Sequence, residues 1–69
     1  MEIKFVDRLK ELMKEAKLNQ VQLASKTGLR QNTISHWLSN TNTPSIENLW
    51  TLADFFDVDI DYLVGRKEY

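Results

Sequence analysis

Residues 19–40 read Asn-Gln-Val-Gln-Leu-Ala-Ser-Lys-Thr-Gly-Leu-Arg-Gln-Asn-Thr-Ile-Ser-His-Trp-Leu-Ser-Asn. The stretch divides at Gly28. Before it, Asn19 and Gln22 stand three residues apart as an Asn variant of the capping box, so a helix is expected to start at Asn19. Leu23 and Ala24 face inward on that helix. Gly28 ends it, because a left-handed backbone is strained for residues that carry a Cβ. After Gly28, Leu29 leads into a second short helix over about Gln31–Ser39, with Ile34, Trp37 and Leu38 toward one side.

The flanks extend the helical pattern. Phe5, Leu9, Leu12 and Ala16 recur at i, i+4, i+7 and i+11, which predicts a helix over about 5–16 with those residues as its apolar stripe. Lys10, Glu11, Lys14 and Glu15 fall largely outside it. Pro44-Ser45 opens a fourth helix, with Ser45 as N-cap and Ile46, Leu49, Leu52, Ala53 and Phe56 as its stripe. Asp59 is expected to cap a short fifth helix that buries Ile60, Leu63 and Val64 and stops at Gly65. Arg66 to Tyr69 reads as a frayed tail. Alternation of the β type is sustained nowhere. Fold class is therefore all-α: one domain of five helices over residues 1–69, with short loops.

Composition bounds the chemistry. A chain of 69 residues buries only about 60% of the surface its unfolded form exposes, so the core has little to spare. There is no cysteine and a single histidine, His36, so neither a disulfide framework nor a metal site is expected, and no cofactor is implied. No signal-peptide or membrane-span pattern is present, which makes a cytoplasmic location the expectation. The formal net charge is −1, but the charges are unevenly placed. Residues 1–44 hold seven cations and four acids, +3, and residues 45–69 hold two cations and six acids, −4. Between Ala16 and Pro44 there is no acid at all. Where charge lies, more than its total, decides whether a surface can face phosphates.

The second half of the opening stretch supplies the chemistry. With Ile34 at the centre of the buried side, Asn32, Ser35, His36 and Ser39 point outward at ~100° per residue, and Gln31 lies at the exposed N-terminal end. A merely solvated helix more often carries a Lys/Glu mixture there. Asn and Gln present a donor and an acceptor together, which matches adenine N6 and N7 in the major groove. His36 can donate to a guanine acceptor or a phosphate. Arg30 stands at the helix entrance. The open amides at the starts of both helices attract anions, with Asn19 and Gln20 beside one of them. Trp37, by contrast, shares the inner half with Ile34 and reads as packing.

These residues lie in a chain that, from about Phe5 to Gly65, resembles the lambda-repressor-like (Cro/C1-type) helix-turn-helix family. The resemblance rests on Arg8-Leu9-Lys10-Glu11-Leu12, Leu18-Asn19-Gln20-Val21-Gln22-Leu23-Ala24, Gly28-Leu29, Thr33-Ile34-Ser35-His36-Trp37, Pro44-Ser45, Leu52-Ala53 and Asp61-Tyr62-Leu63. It implies that Gln31, Asn32 and His36, with Ser35 beside them, read bases. It also implies that Gln20 holds phosphate, and that the chain binds double-stranded DNA as a homodimer on a palindrome with half-sites ~34 Å apart. Asn19, Arg30, Ser39, Asn40 and Thr41 complete the expected phosphate contacts.

The departures from the family pattern are informative. Met13 and Leu38 stand where the family often has an Arg–Glu pair, so the two are expected to touch as apolar groups. Lys17 and Asn40 stand where glycine is usual. Arg30 replaces a usual Ser or Thr N-cap, which forgoes a cap worth ~1 kcal/mol. The loop Thr41-Asn42-Thr43 lacks a cation, which predicts a shallow salt dependence of DNA binding.

The reading is a sequence-specific transcriptional regulator of the repressor kind, prokaryotic or phage-encoded, either whole or part of a longer regulator. No membrane contact or small-molecule ligand is evident. The alternative is a protein-interaction module of antitoxin or adaptor type on the same scaffold. It is motivated by Trp50 and Phe55, which with Val58 and Tyr62 are the candidate dimer surface. An enzyme is the weakest reading. Asp54, Asp57, Asp59 and Asp61 lack the glycine and closing Glu of a calcium loop, and they fit helix capping and a DNA-repelling pole better.

Overall fold

A computed structural model describes residues 3–67, and all its regular structure is helical. The elements are α1 (Phe5–Ala16), α2 (Gln20–Thr27), α3 (Gln31–Leu38), α4 (Ile46–Phe56) and α5 (Ile60–Val64). α2 packs on α3 and α4, α1 on α3 and α5, and α4 on α5. No helix among the described residues is long and apolar enough to cross a membrane.

One apolar core joins all five helices. Phe5, Leu9, Leu12 and Met13 of α1 meet Leu23 of α2, Ile34 and Trp37 of α3, Leu52 and Ala53 of α4, and Leu63 of α5. No polar or charged side chain is buried among the described residues. The Trp37 and Phe5 rings meet edge to face at 5.6 Å and 82°, an arrangement favoured by the ring quadrupoles.

Several inward assignments need correction. Met13 is buried and Ala16 is exposed, so the α1 stripe turns toward Met13 instead of ending at Ala16. Met13 belongs to the core, and Leu38 packs against that same core from α3. Ile46 sits at the first position of α4 and is 74% exposed, because the stripe that meets the core begins one turn later at Leu49 and Leu52.

Four of the five helix ends share one device. In the Schellman turn, two backbone amides beyond the helix return to carbonyls three and five residues earlier, and the residue between is left-handed. α1 ends with Lys17 N donating to Lys14 O (3.1 Å) and Leu18 N to Met13 O (2.9 Å). The same pair recurs after α3 (Asn40 to Trp37, Thr41 to His36), after α4 (Asp57 to Asp54, Val58 to Ala53) and after α5 (Gly65 to Tyr62, Arg66 to Asp61). Only the last uses glycine. Lys17, Asn40 and Asp57 hold φ of 58°, 62° and 56°. At Gly65 the glycine is required twice over: φ is +90°, and a Cβ would lie 2.8 Å from that of Lys4. Lys4 comes this close because its amide donates to Val64 O at 3.0 Å, fastening the start of α1 to the end of α5.

Two expectations at the α5 end are overturned. Asp59 occupies the N-cap position of α5 but makes no side-chain cap bond there. Its carboxylate pairs with Lys67 Nζ at 2.7 Å. With Arg66 N also bonded to Asp61 O, residues 66 and 67 are tied back to α5 and are not a free tail. The expectation for Glu68 and Tyr69 falls outside the described residues.

Candidate nucleic-acid interface

The α2–turn–α3 unit is held by local chemistry. Asn19 Oδ1 accepts from Gln22 N at 2.8 Å, and Gln22 Oε1 accepts from Asn19 N at 2.9 Å, which completes the capping box. Gly28 then turns the chain at φ 78°, its amide donating to Ala24 O. No neighbour lies near a Cβ built there, so glycine is needed for backbone conformation alone. Thr27 closes the turn from inside: its hydroxyl donates to Leu23 O (2.7 Å) and accepts from Leu29 N (3.3 Å). Leu23, Ile34 and Trp37 then fix the angle of α3 to the core.

Ile34 and Trp37 bury one side of α3. Gln31, Asn32, His36 and Ser39 are exposed, and Ser35 is half-buried at the flank. Asn19, Arg30, Asn40 and Thr41 are exposed, and Gln20 is half-buried. The fold thus groups these residues on the N-terminal ends of α2 and α3, the outer side of α3 and the turn after it. Asn19 uses its oxygen for the capping box, so its amide nitrogen is the group left to donate outward. Arg30 makes no side-chain cap bond, so α3 starts with first-turn amides that no side chain satisfies. Arg30→Ser is expected to raise stability by about 1 kcal/mol through a new cap while lowering DNA affinity. Urea denaturation and a binding titration on the same variant would check the opposite signs.

The turn after α3 uses up its own donors. Ser39 Oγ donates to His36 O at 3.1 Å and lies 2.8 Å from Thr41 Oγ1. Each hydroxyl has one proton, so both contacts are made together only when Thr41 donates to Ser39. Neither proton then points outward. Asn42 Nδ2 lies 3.5 Å from His36 Nδ1, a long approach that sets Asn42 beside the exposed ring.

One charged feature escapes sequence reading. A groove between α1 and the end of α3 brings Lys4, Asp7 and Lys10 to Leu38, Ser39 and Asn40. Spacing within α1 cannot reveal this, because the crossing of α1 over α3 sets it. Arg8 is engaged elsewhere: its guanidinium lies 4.8 Å from the Tyr62 ring centre, and its Nε donates to Tyr62 O at 3.2 Å.

The four candidate dimer residues do not form one patch. Trp50, 62% exposed, and Val58 line a groove between α4 and α5 with Asp54 and Ile60. Phe55, 38% exposed, stacks edge to face on Phe56. Five positions from Trp50, it projects ~140° around the helix. Tyr62 lines a third surface with Glu11, Lys14 and Glu15 of α1. Ile46, one turn before Trp50 and also exposed, shares its side of α4 by the i, i+4 spacing. Sequence reading missed it by counting it in the core stripe.

A capped helix, a glycine turn and a second helix with an exposed polar side define a helix-turn-helix DNA-binding domain. A helix-turn-helix family model matches residues 9–63, and the chain belongs to that family, the Cro/C1-type helix-turn-helix proteins. It is 33% identical over 64 residues to the cryptic phage CTXphi transcriptional repressor RstR of Vibrio cholerae, covering 93% of this chain and 58% of RstR. It is also 33% identical over 66 residues to the HTH-type transcriptional activator BcrR of Enterococcus faecalis, covering 96% of this chain and 32% of BcrR. Among solved structures, a transcriptional regulator from Listeria innocua superposes with a TM-score of 0.86 at 32% identity, covering 100% of this chain and 64% of that one. The chain spans about half the length of most curated relatives it matches.

Proposed function

We infer that the chain binds double-stranded DNA in a sequence-specific way and regulates transcription, as a repressor homodimer at a palindromic operator in a bacterial or phage-infected cytoplasm. The observation that carries this is the outer side of α3. Gln31, Asn32 and His36 are exposed there on a helix whose other side is locked into the core, in a stretch free of acids. RstR supports the repressor assignment by its name, while BcrR is an activator, so the position of the operator relative to the promoter decides the sign. Homodimer formation is assigned to the Trp50–Val58 groove with Ile46 on the same side of α4, and such a dimer would read half-sites about one DNA turn apart.

Selection of binding sites from random duplexes, followed by a salt titration, tests this reading. The expected product is a two-fold symmetric site bound at least about a hundredfold more tightly than random DNA. A spread below that sinks the sequence-specific reading. Trp50→Ala should leave half-site binding intact and abolish cooperative occupation of the full site. Because Glu47, Asp54 and Asp57 share the Trp50 side of α4, self-association there should strengthen with salt while DNA binding weakens.

The second reading, a protein-interaction module, draws on the same exposed pair, Ile46 and Trp50. It predicts a Trp50→Ala variant that is still monomeric or dimeric as before but has lost a protein partner.

A further inference from the structure

We propose that Asn42 is a positioning residue for His36: its side-chain amide fixes the imidazole in the tautomer that offers an Nε2–H donor to the DNA, which makes guanine the preferred base there. The inference rests on the DNA-binding reading above and extends it to a residue outside α3. It starts from the way the turn after α3 folds back. Asn40 reverses the chain with a left-handed φ of 62°. Three donors then converge on His36 O: Thr41 N at 2.9 Å, Ser39 Oγ at 3.1 Å and Asn42 N at 3.4 Å. The backbone of residue 42 is thereby held against His36. Its side chain reaches the ring of the same residue, with Nδ2 3.5 Å from Nδ1.

A neutral imidazole can donate from either nitrogen, and the bond made by one decides what the other offers. An amide nitrogen only donates, so Nδ1 must accept from Asn42 and the ring proton sits on Nε2. Nε2 is the ring nitrogen farther from the backbone, and His36 is exposed on the outer side of α3. A donor fixed in this way discriminates among bases. In the major groove guanine offers only acceptors, N7 and O6, whereas cytosine offers a donor and adenine sets a donor beside its acceptor. Thymine has one acceptor, next to a methyl group. The approach of Asn42 to the ring is long in the free chain, where both residues are exposed and water competes. Docking on DNA removes that water, and a hydrogen bond in the drier interface is stronger. The cation-free loop Thr41-Asn42-Thr43 thus contributes orientation in place of charge.

His36 is the only histidine in the chain, so nitrogen NMR of labelled protein reads its ring without ambiguity. In the parent chain on the selected site, the expected result is a neutral ring with its proton on Nε2. A proton on Nδ1 overturns the inference. The binding test compares Asn42→Ala, His36→Ala and the double variant with the parent chain. Asn42→Ala should weaken the selected complex about fivefold, the worth of one ordinary hydrogen bond, and leave binding to random duplex unchanged. The lost preference should fall at the base pair where His36→Ala also relaxes selection, and the base there should be guanine. Any other base at that position overturns the donor assignment. In the His36→Ala background, Asn42→Ala should cost nothing further. An equal loss in both backgrounds would mean that Asn42 acts on DNA by itself, which overturns this inference alone. A parent chain that binds no DNA overturns the functional reading with it.

Discussion

Trp37→Ala is expected to unfold the domain at ordinary temperatures. Trp37 is 1% exposed and is the largest side chain fully buried in the core. It leans on Phe5 edge to face at 5.6 Å, so its removal opens space against both α1 and α3. Truncating a buried tryptophan costs about 3–5 kcal/mol. Proteins hold roughly 0.05–0.15 kcal/mol of stability per residue, so a chain of this length has on the order of 3–10 kcal/mol in all. One substitution therefore takes away a third of the total or more. Thermal denaturation followed by circular dichroism would report either no cooperative transition or a midpoint lowered by at least roughly 12 °C. A shift of only a few degrees would mean that α3 is not held by this ring.

The second large effect lies on the opposite side of the same helix. Gln31→Ala with Asn32→Ala should sharply reduce discrimination between the selected site and random DNA while sparing the fold. Each amide can bind a base edge with two hydrogen bonds, and one such pair is worth about 1–3 kcal/mol of discrimination. Both side chains are exposed, and alanine favours helix at Asn32, so stability should hold or rise. Competition titrations against random duplex measure the ratio directly. The expected loss is at least about twentyfold in specific affinity with non-specific affinity unchanged. Equal losses on both DNAs would recast the pair as backbone contacts.

Local signals in the sequence carried far. Asn19 and Gln22 pointed to the capping box, Gly28 to the turn, and Ser45 to a cap that the structure makes to Asn48 N at 3.1 Å. Trp37 followed from sharing a side with Ile34. Each of these depends on residues within four positions of one another. What was not legible depends on packing between helices. Whether Ile46 meets the core is decided by where α4 begins to touch α2 and α5. Trp50 and Phe55 are a different case: the helical count of five that separates them was open to the sequence and was overlooked. Asp59 had two possible uses for its carboxylate, and Lys67, eight residues away, took it. The groove holding Lys10 needs the α1–α3 crossing, which no stretch of sequence encodes locally.

The Schellman turns at Lys17, Asn40 and Asp57 have a consequence for the unfolded chain. A left-handed residue with a Cβ costs roughly 1–2 kcal/mol in the folded state, the upper end for Lys and less for Asn and Asp. Glycine would remove that strain, yet it would also give the denatured ensemble more conformations to lose on folding. Because Lys, Asn and Asp stand at these three positions in place of glycine, the denatured chain has fewer conformations to lose there. Strain in the native turns is thus set against a smaller entropy loss on folding at three of the five helix ends, while Gly28 and Gly65 make the opposite choice at the other two.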